Sequence, residues 1–449
     1  MKLKMIVILC AFCCNARLVQ AEIVNPQVNP QTEVLAEPTH VHYLTYDEAV
    51  QIALHDNFDL LVIRNQEESF KLRSAQALSP QNPIFTYSKS DIPGLSLSEQ
   101  SAQVTYQVAW TIGFPGKALS QSAAVRHQAE AASQQAVAQE INIMTALSNN
   151  FVSFAVNNAF YKFLLQEQKR DHELMKLLEK RFSASQAAKV DLLNAQVTTQ
   201  QIAQSILQNR NDYEVLLTQF RQIIRKPEDN TLRPQFPEEI VVPSVKQSYE
   251  ELIRIMMRNN QALNASRKLV ESSDALVTNA SLQPFPDFQL TAAVNKWTSQ
   301  AAPNGPDVLR DYSVGLGLAI PIFFPFNELT GMHAAQHDRI VTENQYNSQQ
   351  LQMISSLQTL YTSLKATLKD LEASEKLVVP AAKASFDLTL LTYGMGKADY
   401  FAVNQSRTIL HGAMKDMLTK RQNIAQFYNQ LIAQMGCDIG KTEGPNVCK

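Results

Sequence analysis

The feature that most constrains this chain is an internal duplication. Segment 46–57 (YDEAVQIALHDN) is matched by segment 249–260 (YEELIRIMMRNN), and the 203-residue offset holds without a gap to Phe85 and Phe288. Tyr46, Glu48, Ile52, Asn57, Leu60, Arg64, Glu68, Ser69, Ala77, Pro83 and Phe85 each recur identically one offset later, more matches than chance supplies. Repeats of this kind decide the architecture before any local reading does. The two halves, 45–225 and 248–436, meet in a linker, 226–247, where Pro227, Pro234, Pro237 and Pro243 prevent a continuous helix.

Each half reads as the same series of elements. A helix of roughly 35 residues is expected from Thr45, with Glu48 completing a capping box; its twin starts at Ser248 with Glu251. A proline-marked break leads to two short strands. A very long helical stretch follows, 116–182 in the first half and 327–393 in the second. A Gly/Ser-rich break and a shorter helix close each half, at 187–225 and 398–436. At 1.5 Å per residue the long stretch spans about 100 Å. The two shorter helices of a half sum to about the same length, so end to end they can run alongside it. In 187–225 the positions Leu192, Ala195, Thr199, Ile202, Ile206, Asn209, Tyr213, Leu216, Phe220 and Ile223 step by threes and fours, a lengthwise packing seam. Thr199 and Asn209 are polar seam positions suited to setting register. Pro380, inside the last long helix, predicts a kink. Only 13 of 449 residues are glycine, which fits long helices.

The strands alternate. Tyr312, Val314, Leu316, Leu318 and Ile320 interleave with Ser313, Gly315, Gly317 and Ala319; Val104, Tyr106, Val108, Trp110 and Ile112 interleave with Thr105, Gln107, Ala109, Thr111 and Gly113. A third strand alternates Phe288, Leu290, Ala292 and Val294 with polar or small residues, and a weaker fourth lies at 84–90 with Phe85 and Tyr87 on one face. Period-2 patterning over about ten residues suits a transmembrane β-strand. It also suits a half-buried sheet packed on helices. Four strands do not close a barrel and open edges are not tolerated in lipid, so lipid-facing strands require several chains to share one barrel. Loops 91–100 and 299–310 are the expected outward turns.

The first 21 residues read as a secretory leader: Lys2 and Lys4, an apolar run from Met5 to Cys14, and a small-residue site at Val19–Ala21. A 22–44 extension follows it. Cleavage there removes Lys2, Lys4 and Arg17, changing the formal charge from −2 to −5, against a broad nucleic-acid-binding face. Past the leader no apolar run reaches the ~18–20 residues of a membrane-spanning helix. Cys10, Cys13 and Cys14 lie in the leader and lack the small preceding residue of a lipoprotein site. Cys437 and Cys448, in the 437–449 tail, are disulfide candidates in an oxidising compartment. Nucleotide-, hydrolase- and zinc-protease motifs are missing, and His333 and His337, four apart on a helix, have no third ligand nearby. No catalytic, cofactor or metal constellation is expected, and hence no enzyme.

The doubled opening at 44–54 (LTYDEAVQIAL), the strand pairs and the breaks together resemble the TolC-like outer membrane efflux protein family over nearly the whole mature chain. The family's break pattern, Tyr-x-x-Gly-x-x-Ser-x-x-Asp-Leu-Leu-x-Ala-Gln, is approximated by 182–196 (FSASQAAKVDLLNAQ) and 393–402 (YGMGKADYFA). Segments 112–117 (IGFPGK) and 320–323 (IPIF) resemble its heavy-metal and small-molecule efflux branch. The resemblance implies a mainly α fold with a small β part: long antiparallel helical hairpins forming an α-barrel, and four strands per chain in a shared 12-stranded barrel of a homotrimer. It implies a passive exit duct in the outer membrane of a Gram-negative bacterium, extending into the periplasm and serving an adaptor protein and an inner-membrane pump of RND type. It also implies a gate at the helix tips with Asp191, Tyr393, Lys397 and Asp399, and adaptor contacts at Ser183, Ala184, Ser185, Gly394, Met395 and Gly396. Tyr393 and Lys397 are expected to tie the tip through Asp191. Asp191 has Ala402 as its second-half counterpart, which breaks the family's acidic ring, and Asp399 reads either as a gate acid or as a helix cap. Two other readings stand beside this one: a periplasmic coiled-coil scaffold without a pore, and the outer duct of a type I secretion system.

Overall fold

The computed structural model describes residues 41–437 except 91–102, 299–307 and positions 238, 239, 241, 244 and 246. The leader, most of the 22–44 extension, the turn at 91–100, most of that at 299–310, and Cys448 lie outside the described residues.

The first half runs β1 (His42–Leu44), α1 (Tyr46–His55), α2 (Phe58–Ala77), β2 (Ile84–Ser90), β3 (Gln103–Ile112), α3 (Pro115–Ser183) and α4 (Lys189–Ile223). After β4 (Leu232–Pro234) the second half runs α5 (Tyr249–Asn259), α6 (Gln261–Leu282), β5 (Asp287–Thr298), β6 (Val308–Ala319), α7 (Glu328–Ala373), a π-helical turn (Ser374–Val378), α8 (Val379–Gly394) and α9 (Tyr400–Gln434). The order of elements recurs in the two halves, and three features depart from the expected pattern.

First, each opening helix is two helices. Asn57 and Asn260, identical in the two repeats, leave the helical conformation and cap α2 and α6 by accepting from the backbone N–H of Leu60 and Leu263 at 3.1 and 2.9 Å. A short amide side chain competes with the helix for its own backbone, so the break falls there. Second, the long helix of the second half is interrupted by the π turn immediately before Pro380. Proline has no N–H and its ring clashes with the carbonyl four residues back; the widened turn accommodates both. Third, β1 at the end of the 22–44 extension pairs in parallel with β4 inside the linker, His42 opposite Leu232, a sheet the sequence pattern did not announce.

α2 lies on the first part of α3, where Arg64 meets Glu140 at 2.7 Å and Ser74 meets Ser122. α4 lies on the second part, where Asn150 reaches Leu216 and Asn157 and Asn209 exchange side-chain-to-carbonyl bonds at 3.1 and 3.2 Å. At the join, Ala49 and Ala53 of α1 and Leu217, Phe220 and Ile224 from the end of α4 pack on Leu147, Phe151 and Phe154 of α3. Buried positions Ala195, Ile202, Ile206, Asn209 and Phe220 follow the expected α4 seam; Thr198 and Leu217 replace their neighbours Thr199 and Leu216.

Candidate functional site: the sheet and the helical tips

β2, β3, β5 and β6 form one antiparallel sheet in the order β2-β3-β5-β6. Its register aligns the two halves row by row. Trp110, Leu290 and Leu316 form one row; Phe85, Val108, Ala292 and Val314 the next; Tyr87, Tyr106, Val294 and Tyr312 the one beyond. Paired residues share a face, so these rows make one apolar surface. It is uncovered: Tyr312, Val314 and Leu316 are 75, 87 and 72% exposed. The opposite face carries Thr86, Gln107, Ala293 and Ser313 in one row and Ser88, Thr105, Asn295 and Asp311 in another, with Thr105 donating to Asn295 at 2.8 Å. The half-buried alternative is therefore corrected, since among the described residues no helix covers the apolar face. β6 also begins at Val308, four residues earlier than the pattern indicated.

The junction between sheet and helices explains 112–117. Pro115 occupies the first helical position of α3, where its missing N–H costs nothing. A Cβ on Gly116 would lie 2.8 Å from Leu282 Cδ1, so glycine lets α3 approach the end of α6. Lys117 pairs with Asp287 at 2.9 Å, and Phe114 stacks on Phe285 with centroids 4.9 Å apart.

At the other end of the helices, Ser185 and Gly396 take left-handed conformations (φ 59° and 77°) in the α3–α4 and α8–α9 turns. Asp399 is the N-cap of α9, accepting from the Ala402 N–H at 2.9 Å, so its cap reading holds. Tyr393 is buried, 3% exposed, among Leu178, Ala195, Phe386 and Tyr400. Its expected tie to Asp191 is corrected. Asp191 sits half-buried in the first turn of α4, near enough for its charge to act on the phenol but without a hydrogen bond to it. Lys397 is exposed and forms no ion pair with Asp191. The tie is made by Arg181 at the end of α3, which donates to the Tyr393 carbonyl and lies 4.9 Å from the centre of its ring. Burial pushes the Tyr393 phenol up, and the Arg181 guanidinium opposes it. Ser183, Ala184, Ser185, Gly394, Met395 and Gly396 are exposed on the two turns.

Above the tips is a buried charged node that the sequence reading missed. Asp171 pairs with Arg407 of α9 at 2.9 Å and accepts from Thr199 of α4 at 2.6 Å. Glu167 lies one turn away, 2% exposed, with Arg170 at 3.5 Å; burial raises its carboxyl and the two arginines only partly offset that. Tyr400 donates to Thr198 at 3.2 Å beside it. The signal was present: Leu164, Glu167, Asp171, Leu174 and Leu178 step by threes and fours along α3, and all are buried. Elsewhere His127, Glu130 and Glu271 converge between α3 and α6, but the Lys268 ammonium bridges both carboxylates at 3.0 and 2.7 Å, which makes the cluster an ion-pair network. His333 and His337 are exposed. Cys437 is disulfide-bonded.

Among the described residues no helix is long and apolar enough to cross a membrane. Residues 252–437 match the family model described as Outer membrane efflux protein. The outer-membrane channel OprN matches with a TM-score of 0.73 at 16% identity, covering 88% of this chain and 90% of its own. The outer membrane protein VceC of Vibrio cholerae gives 0.73 at 17%, covering 87% and 96%. CusC, described by its conformational changes on folding and transmembrane channel formation, gives 0.70 at 14%, covering 93% and 99%. Residues 252–437 thus resemble the Outer membrane efflux protein family, and the chain shares the fold of these solved structures.

Proposed function

We propose that this chain is the outer-membrane exit channel of a tripartite efflux system. Three copies each contribute four strands to a 12-stranded barrel, and their helices continue as an α-barrel into the periplasm of a Gram-negative cell. The observation that carries this reading is the sheet: an uncovered apolar face, a polar face behind it, and two edge strands, β2 and β6, each with a side unpaired among the described residues. Exposed apolar strands are stable in lipid, and open edges there must be paired, so β2 of one copy meets β6 of the next. A scaffold without a pore gives that face no role.

The duct is passive and closes at the tips. Arg181 holds the α8–α9 turn against α3, and the exposed residues around Ser185 and Gly396 are the surface offered to a periplasmic adaptor, with an inner-membrane pump beyond it. The polar face of the sheet lines a hydrophilic path. The test is fractionation followed by planar-bilayer recording. The expected product is a detergent-extracted, heat-dissociable trimer that forms discrete channels; a monomer in the soluble fraction overturns the reading.

A further inference from the structure

Toward its far end the apolar face of the sheet carries a row of a different kind, one step inside the terminal pair Thr298 and Val308. Lys89 of β2 pairs with Val104 of β3, Val104 with Lys296 of β5, and Lys296 with Arg310 of β6. Cross-strand partners share a face, so Lys89, Lys296 and Arg310 lie in one row, with Val104 between the first two, on the surface that carries Val108, Val314 and Leu316. The Lys296 side chain verifies the face, since its ammonium lies 5.2 Å from the centre of the Tyr106 ring. The row directly inside it holds Tyr87, Tyr106 and Tyr312, with the first two rings 5.3 Å apart. The order from the helices outward is therefore aliphatic and aromatic rows, a tyrosine row, then a cationic row, at the end of the sheet far from α3 and α7.

The physics of that order is specific. From Ile112 to Val104 a strand advances about 27 Å, and less along the membrane normal once tilted. That is near the height of an apolar band on an outer-membrane barrel. Tyrosines favour the level where hydrocarbon gives way to headgroups, because the ring is apolar and the hydroxyl polar. Cations immediately beyond meet the headgroups themselves. Arginine presents a planar fork to phosphate and lysine a point charge. A cationic row opening on a polar loop in water has no such preference for one face of the sheet. Here all three lie on the apolar face; Asp311, the acid next to Arg310, falls on the other, opposite Asn295.

We propose that Lys89, Lys296 and Arg310 form a binding row for the phosphates of outer-leaflet lipid headgroups. The row rests on the channel reading above, which makes the apolar face the lipid face and repeats the row once per copy around the barrel. Its role is to fix how deep the barrel sits, and to hold a shell of anionic lipid at its rim.

The test uses the full-length protein purified in neutral detergent and incubated with lipid A, with dephosphorylated lipid A and with inorganic phosphate. Lipid A is expected to co-purify with the wild type and to raise its thermal midpoint; the dephosphorylated form is retained severalfold less. Lys296→Gln with Arg310→Gln is expected to lower lipid A retention severalfold while the protein still assembles. Arg310→Lys is the milder variant if the double substitution does not assemble, with an intermediate loss expected. Inorganic phosphate that displaces lipid A overturns the headgroup assignment in favour of a free-anion site. Equal retention by wild type and variants overturns the row and leaves the channel standing. A wild-type protein that needs no detergent overturns the channel reading, and the row with it.

Discussion

The two repeats build the same joints by different means. α4 and α9 are both 35 residues long and start at 189 and 400, an offset of 211, so equivalent positions are read directly. At that offset Ser185 faces Gly396 and Arg225 faces Gly436, and all four have positive φ. The first repeat uses side-chain-bearing residues in the left-handed region; the second uses glycine. The reason is proximity. A Cβ on Gly436 would sit 2.3 Å from the Asn259 carbonyl oxygen, and one on Gly396 3.0 Å from Arg181 Nη2. In the second repeat the end of α9 therefore touches the α5–α6 break backbone to backbone, with Asn260 donating to Gln434. In the first repeat the same joint is bridged at longer range, Arg225 to Asp59 and Lys226 to Asp56. The caps differ likewise: α9 has Asp399, while α4 begins at Ala188 with no side-chain cap. One architecture thus tolerates two local solutions, and the second repeat is the more tightly specified of the two.

The largest effect expected is at the node where the repeats meet. Arg407→Ala leaves Asp171 and Glu167 buried without their shared cation and should cost about 3–5 kcal/mol. The measurement is thermal unfolding of the purified protein, and a loss no larger than that of an exposed pair would show the node to be hydrated. Next, Gly436→Ala should cost about 2–4 kcal/mol, combining backbone strain with overpacking. Arg225→Gly should be near neutral, since relief of a left-handed residue offsets a surface ion pair. Equal effects at the two sites would erase the contrast between contact and bridge. Third, Asp399→Ala should cost about 1 kcal/mol, and Ala188→Asp should gain a similar amount. An absent gain would mean that the α4 start is held by something other than its cap.

The smallest effect is a pH dependence. Burial raises the Glu167 carboxyl above its ordinary value of 4.5. Across the interval between the two values the folded state retains a proton that the unfolded chain releases, so stability falls as pH rises through it and is level above. Glu167→Gln should flatten that slope and raise the melting temperature at neutral pH. An unchanged profile would place the proton elsewhere.

What the sequence made legible was what repeats or alternates. The doubled opening, the strand faces, the seam of α4 and the Asp399 cap all follow from spacing, and each is local. The rest depends on partners distant in sequence. Thr199 was readable as a polar seam position, but its partner Asp171 became visible only with α3 in place. The role expected of Asp191 at Tyr393 passed to Arg181, because a buried ring accepts a guanidinium over its face and at its carbonyl, and both come from a helix 212 residues earlier. The Asn57 break was printed in the repeat as an identity with Asn260, yet an identity does not say whether a residue packs or caps.

The π turn before Pro380 has a consequence for how the second long helix keeps its place. On the tip-distal side buried leucines recur every seven residues at 357, 364 and 371, with Leu360 buried beside them; beyond the turn the buried aromatics are Phe386 and Tyr393. Sevens counted from Leu371 arrive at 385 and 392, one short of each. The same single step separates buried Ser374 from Ala382. The wider turn thus absorbs one surplus residue, much as a leap day keeps a calendar in season, and the stripe facing α9 stays in phase along its length.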